Sequence, residues 1–155
     1  MSSETTDSRA SKLRETALAI IDAFQKWDLE AIMALRTDDC TTQVLPRSLS
    51  RPRMNNADYR EFFGGLMPHF RDFTLAVDEV IVDAPQNKVA VWCRSTADTE
   101  IGPYANEYVL ILYLNEAGDK VYKYLEFVDS NNTVSFFPKL REHIADKAGV
   151  DSMGS

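Results

Sequence analysis

An α+β fold follows from three features of the sequence: helical spacing of apolar residues in the first half, a change to alternating strand patterning after residue 73, and a last helical segment. Helices segregated from a long-stranded sheet must cover one of its faces, so the expectation is helices packed on a curved antiparallel sheet.

Leu13, Ala17, Ile20, Ile21, Phe24 and Trp27 recur at helical spacing and predict an amphipathic helix over about 9–27. Asp28 caps a second, shorter helix, LEAIMALR, which offers Leu29, Ile32, Met33 and Leu35 to a core and ends on Arg36. TTQVLP is a short strand closed by Pro46, followed by the basic loop RSLSRPRMNN. Asn55 or Asn56 then caps a third helix, ADYREFFGGLMPHF. Gly64 and Gly65 each weaken that helix by roughly 1 kcal/mol relative to alanine, which predicts a break or a close packing contact; Pro68 ends or kinks it.

FTLAVDEVIVD, NKVAVWCRSTADT, YANEYVLILYL and DKVYKYLEFVD are rich in Val, Ile, Tyr and Phe and are separated by the turn signals APQ, EIGP and NEAG, so they read as an antiparallel meander. A last helix over about 135–147 turns Phe137, Leu140 and Ile144 inward. Residues 1–8 and 148–155 are small and polar and read as flexible ends around one domain, 9–147.

Composition excludes several function classes. No apolar stretch approaches the roughly 18 residues of a membrane span, and the first residues lack the basic-then-apolar pattern of a secretory signal, so a cytoplasmic protein is expected. With 24 acids against 17 bases the net charge is −7, and no basic stripe is present to meet a phosphate backbone, so nucleic acid is not an expected partner. Cys40 and Cys93 are isolated, with no CxxC and no Cys/His cluster, and read as ordinary reduced thiols. His69 and His143 lack any ligand spacing, so no metal is expected. G-x-S-x-G is absent, and FFGGL lacks the lysine and hydroxyl of a phosphate loop.

Chemistry concentrates on the two last strands. Alternation puts Tyr104, Asn106, Tyr108, Leu110 and Leu112 on one face, and groups Tyr122, Tyr124, Glu126 and Val128 on one face of the next strand. A carboxylate on a helix-covered sheet face needs polar company, which the tyrosines and the asparagine can supply. Leu110 and Leu112 continue that face into an apolar depth. Trp92 and Arg94 share one face of their strand, either along a cavity or at a dimer surface, and Trp92 stands among the candidate substrate contacts. His69, following Pro68 at a helix end, is a candidate for the pocket rim.

The order helix, helix, short strand, helix, four strands, together with IGPYANEY and EFVDS, resembles the NTF2-like superfamily over about residues 10–140, and within it the SnoaL-like proteins of fungal secondary-metabolite pathways. The resemblance implies a cone of helices on a strongly curved antiparallel sheet, a homodimer built on the outer sheet face, and chemistry without metal or cofactor. In its semipinacolase branch an arginine at the end of the second helix, two tyrosines four apart on one strand and a glutamate on the following strand serve the pocket. Arg36, Tyr104, Tyr108 and Glu126 match those positions. The resemblance thus implies Glu126 as general acid or base, Arg36 as stabiliser of a developing oxyanion, and the tyrosines as donors to substrate oxygens. Asn106 is a candidate for orientation. The aspartate base of bacterial cyclases in this superfamily has no motif to place it here on Asp38, Asp39, Asp78, Asp98 or Asp129.

The expected function is a cofactor-independent isomerase or cyclase, catalysing a semipinacol-type shift or ring closure on a bulky oxygenated natural-product intermediate. The alternatives are a non-catalytic module holding a small hydrophobic ligand in the same cone, and a protein adaptor that uses the outer sheet face and has no pocket. Arg36 also fits a plain helix C-terminus, where a cation is favoured by the helix dipole alone.

Overall fold

Leu13, Ala17, Ile20 and Ile21 form a buried stripe along α1 (Ser3–Gln25) in the computed structural model, which describes residues 3–153. The stripe packs on Val89, Val91, Leu112, Leu114 and Val121 of the sheet, and each fully buried side chain of that size contributes about 1.5–3 kcal/mol. Arg9 and Thr16 lock the helix in register: the Arg9 guanidinium donates to Asn87 Oδ1 at 2.8 Å, and Thr16 Oγ1 donates to the Gly118 carbonyl at 2.6 Å. Gly118 adopts φ +75°, where an L side chain is strained, and a Cβ there would stand 2.9 Å from Arg9 Nη1 and displace the guanidinium.

Asp28 caps α2 (Leu29–Ala34) by accepting from the Ala31 N–H. The second helix is shorter than expected. Arg36 does not close it but opens β1 (Arg36–Leu45), because the Leu35 carbonyl accepts from the Val121 N–H and the chain is drawn into the sheet at that point.

Asn55 caps α3 (Asn56–Leu66) through a reciprocal box with Asp58. Gly64 does not break the helix; a Cβ there would lie 3.2 Å from Leu29 Cδ2, so glycine permits α2 and α3 to approach. A 3₁₀ turn over Met67–His69, with Pro68 inside it, leads into β2 (Phe70–Asp83).

β3 (Lys88–Thr99), β4 (Gly102–Leu114) and β5 (Val121–Val128) complete a five-stranded sheet in the order β1-β5-β4-β3-β2. The meander β2–β5 is antiparallel as expected, but β1 pairs with β5 in parallel, so the sheet is mixed. Register shifts in β1, in β2 and between Tyr113 and Leu114 bend the sheet around the helices. The last of these corrects one facing: Val121 turns inward, and Tyr122, expected beside Tyr124, lies outside against Tyr113 at 42% exposure. The sheet is not closed into a barrel.

α4 (Ser130–Met153) folds back over the open end of the sheet with Leu140 fully buried against Phe70, Ala97 and Tyr104. Asp129 of EFVDS starts this helix, its carboxylate accepting from the N–H groups of Asn131 at 2.9 Å and Asn132 at 3.3 Å. The flexible ends expected at 1–8 and 148–155 fall partly outside the described residues; within them α1 already begins at Ser3 and α4 continues to Met153.

Candidate functional site

Between the sheet and α1, α3 and α4 lies a cavity of about 1110 Å³, its open mouth included. One wall is aromatic, from Phe24, Trp27, Phe62, Phe63, Phe73 and Phe137; the other is the polar strand face of Tyr104, Asn106 and Tyr108 with Glu126 beside it. Trp27 stacks on Phe73 with ring centres 4.4 Å apart, which stiffens the apolar wall.

Register explains why these groups meet. Leu110 of β4 pairs with Glu126 of β5, Tyr108 with Val128, and Cys93 and Ser95 of β3 stand opposite Tyr108 and Asn106. Strand alternation then turns all of them to the helix-covered side.

Among the described residues that line the cavity, Glu126 is the only carboxylate. Its carboxyl has no hydrogen-bond partner among the described residues, and the side chain is partly buried in the cavity wall. Burial raises it from the ordinary 4.5 to about 7. Near neutrality it therefore populates both forms and can give or take a proton.

The tyrosines form a chain. Tyr104 and Tyr108 hydroxyls are 2.7 Å apart, Tyr108 lies 2.8 Å from Ser95 Oγ, and Asn106 Nδ2 donates to Tyr104 Oη and Thr133 Oγ1, each at 3.1 Å. Burial pushes both tyrosines above their ordinary range; for Tyr104 this is opposed by its bonds to Tyr108 and Asn106.

Arg36 is 4% exposed and stands behind this surface rather than in it. Its guanidinium lies 4.4 Å from the Tyr59 ring centre and 5.2 Å from that of Tyr124, both of which line the cavity. Nε donates to Asn56 Oδ1 at 2.7 Å and Nη1 to Thr42 Oγ1 at 2.9 Å, while Nη2 and the Tyr124 hydroxyl are buried without hydrogen-bond partners among the described residues. No carboxylate reaches Arg36 within ion-pair distance among the described residues.

Of the residues singled out in the sequence, Glu126, Tyr104, Tyr108, Asn106 and Leu110 line this one cavity. Trp92 does not: it lies on the opposite sheet face, 44% exposed, with Nε1 donating to Glu107 Oε2 at 2.6 Å, because β3 alternation that sends Cys93 and Ser95 inward sends Trp92 and Arg94 out. His69 is also absent from the cavity wall; its Nδ1 lies 3.2 Å from Glu100, which His143 approaches at 2.8 Å, so the ring ties the start of β2 to the β3–β4 turn and α4. Tyr124 lines the cavity beside Glu126, as strand alternation grouped it, whereas Tyr59, Ser95 and Thr133 were not foreseen. For Ser95 the alternation of VWCRST carried the signal, since placing Trp92 outside would have put it inside.

Cys93 also lines the cavity, but burial pushes its thiol up to about 12, and Cys40 similarly to about 11, so neither is a ready nucleophile. Among the described residues no group of three His, Cys, Asp or Glu side chains is placed to hold a metal ion, and no helix is long and apolar enough to cross a membrane.

Residues 17–124 match the SnoaL-like domain family. The chain is 37% identical over 126 residues to the monooxygenase nsrQ of Aspergillus novofumigatus, covering 81% of this chain and 83% of that protein. It is 30% identical over 138 residues to austinoid biosynthesis cluster protein H of Aspergillus calidoustus, covering 86% and 94%. The fold is similar to the crystal structure of BvnE pinacolase from Penicillium brevicompactum, with TM-score 0.83, 31% identity, and coverage of 86% of this chain and 94% of that one.

Proposed function

Because this chain belongs to the SnoaL-like domain family, we propose that it is a cofactor-independent isomerase or cyclase acting on a bulky, largely apolar, oxygenated intermediate of a fungal secondary-metabolite pathway. The observation that carries the reading is Glu126: an unpartnered carboxyl, raised to about 7, set in an aromatic cavity beside two tyrosine hydroxyls. A structural carboxylate would be paired or solvated; this one is held ready to exchange a proton.

A semipinacol-type shift suits such a group. As a carbon–carbon bond migrates to the neighbouring carbon, the C–O bond of a strained ring ether there breaks. The hydroxyl on the carbon left behind loses its proton to become a carbonyl and the opened ether oxygen, still on the skeleton, gains one, so the product is an isomer, the proton balance is zero and one carboxyl serves either step. Tyr104 and Tyr108 hydrogen-bond the oxygen on which charge develops. Arg36 acts through Tyr59 and Tyr124, placing positive potential behind the polar wall. Arg36→Met should therefore lower turnover by only about tenfold, less than loss of Glu126; a loss equal to that of Glu126→Gln would put the guanidinium on the reacting atoms instead.

The decisive experiment compares the metabolites of the producing strain with the coding sequence deleted and restored as wild type or Glu126→Gln. An isomer of the accumulated intermediate, formed only by wild type and equally without oxygen, is the expected result. A product heavier by one oxygen and dependent on O₂ would favour the activity named for nsrQ. Full function of Glu126→Gln would favour a ligand-holding module.

The protein is also expected to form a homodimer through the outer sheet face, where Ile81, Trp92, Val109, Tyr122 and Phe127 are 37–58% exposed. Phe127→Arg should shift sedimentation from dimer to monomer; a wild-type monomer at micromolar concentration would remove the claim.

A further inference from the structure

The basic loop RSLSRPR takes no part in the reaction proposed above, yet it brings one arginine into the cavity wall. Among the described residues that line the cavity, Arg51 is the only cation, and it is partly exposed, so it stands where the cavity meets solvent. Its place is fixed by the chain on either side. Gln43 Nε2 donates to the Arg51 carbonyl at 2.7 Å, and a few residues on Met54 exchanges two backbone bonds with Thr42, at 2.8 and 2.9 Å, so the segment that carries Arg51 is pinned to β1.

This guanidinium lacks a counter-charge. Acids outnumber bases by 24 to 17 in the chain, but the Arg51 side chain has no hydrogen bond and no ion pair among the described residues, and neither Arg47 nor Arg53 of the same loop has an ion pair. A second cation stands near enough to act on it instead. Burial holds the Arg51 guanidinium below the ordinary arginine range, and the charge of Arg141 on α4 pushes the same way. Arginine stays charged all the same, so two like charges are brought together, without acids, at the edge of an apolar cavity. An anion settling beside Arg51 removes both penalties, the repulsion and the missing partner. The planar fork of donors suits a carboxylate best, since it can meet both oxygens with parallel hydrogen bonds.

We propose that Arg51, supported by the charge of Arg141, is a specificity-determining residue that binds an organic carboxylate: the substrate carries an acid group at the end of its skeleton nearest solvent, while its apolar body lies along the aromatic wall and its reacting oxygens reach Tyr104, Tyr108 and Glu126. No ion pair joins Arg51 to Glu126, so the anion is held at one residue and the proton is exchanged at the other. The inference rests on the reading that this cavity binds the substrate, and it adds an acid group to the oxygenated skeleton.

The probes are 2-naphthoate and 2-naphthamide, which share a shape and differ in charge. Their dissociation constants with the full-length protein are measured by isothermal titration calorimetry at roughly pH 8, where a carboxyl of ordinary proton affinity is ionised. The readout is how the preference for acid over amide changes from wild type to variant; repulsion from Glu126 is common to all and cancels. Arg51→Gln should lower the preference by about tenfold, the lower end for a hydrogen bond to a charged group, because the site is partly solvated. Arg51→Lys should keep part of it, since the charge remains and the fork is lost. Arg141→Gln, acting through space, should lower it by about two- to threefold. Arg53→Gln should leave it unchanged, because Arg53 is exposed in the same loop and absent from the cavity wall.

Thermal melting by circular dichroism confirms that each variant is folded. An unchanged preference in Arg51→Gln, an equal loss in Arg53→Gln, or no saturable binding of naphthoate to wild type would overturn the proposal. Because the readout needs only binding, absence of turnover with an Arg51-dependent preference intact would sink the proposed reaction and leave the carboxylate site standing. Turnover with the preference unmoved in Arg51→Gln would do the reverse.

Discussion

Glu126→Gln is expected to lower turnover by about 10²- to 10⁴-fold with the fold intact, the range for removing a positioned acid or base. The amide keeps the shape of the carboxyl and the packing around Val128 and Tyr124, but it neither gives nor takes a proton near neutrality. The wild-type pH–rate profile should carry a limb centred near 7, where burial has raised this group. A limb rising through that value identifies the carboxylate as base; a falling one identifies the acid. Either limb should be missing from the residual activity of the variant. Activity within a factor of a few of wild type, or an unchanged profile, would remove Glu126 from the chemistry.

The same substitution should stabilise the protein in mild alkali. Below about pH 4.5 the carboxyl is protonated in both folded and unfolded chains. Between 4.5 and about 7 the unfolded chain releases its proton while the folded one retains it, so stability falls by about 1.4 kcal/mol per pH unit; above 7 both are ionised and the loss is complete. The stability tied to this carboxyl is thus fully present in acid and lost as pH rises through the folded value. Over about 2.5 units the loss comes to about 3 kcal/mol, an upper figure because water entering the mouth screens part of it. Glutamine has no such slope. Urea unfolding should therefore show wild type and Glu126→Gln nearly equal at about pH 4 and the variant more stable by up to about 3 kcal/mol at about pH 8. Other titrating groups contribute alike to both proteins and cancel. Parallel pH profiles would mean that Glu126 is solvated, and would weaken its candidacy as the acid–base group. A residue whose removal stabilises the fold while abolishing turnover is one kept for its chemistry.

The polar strand face was legible because strand alternation is a property of each residue's own backbone. Tyr104, Asn106 and Tyr108 stay on one face wherever β4 sits, and Glu126 follows Tyr124 by two residues in β5. Trp92 was misplaced for a related reason: alternation says which residues share a face, and it leaves open which face the helices cover. Tyr122 failed differently, since the irregularity between Tyr113 and Leu114 breaks the alternation, and such an extra residue leaves no reliable mark in the sequence.

Local patterning is enough to specify the helical stripe of Leu13, Ala17 and Ile20, the four long strands and their turns, the Asp28 and Asn55 caps, and the shared face that became the polar wall. Each depends on interactions within a few residues, where the 3.6 and 2.0 periods operate. The tertiary structure alone decided that β1 joins β5 in parallel, that Arg36 lies between Tyr59 and Tyr124 instead of closing a helix, that His69 turns to Glu100, and that Ser95 and Thr133 terminate the tyrosine chain. These contacts join residues from 13 to 88 positions apart, from Ser95 with Tyr108 to Arg36 with Tyr124. No local period carries them; they exist only once the burial of the common core has brought distant strands and helices into register.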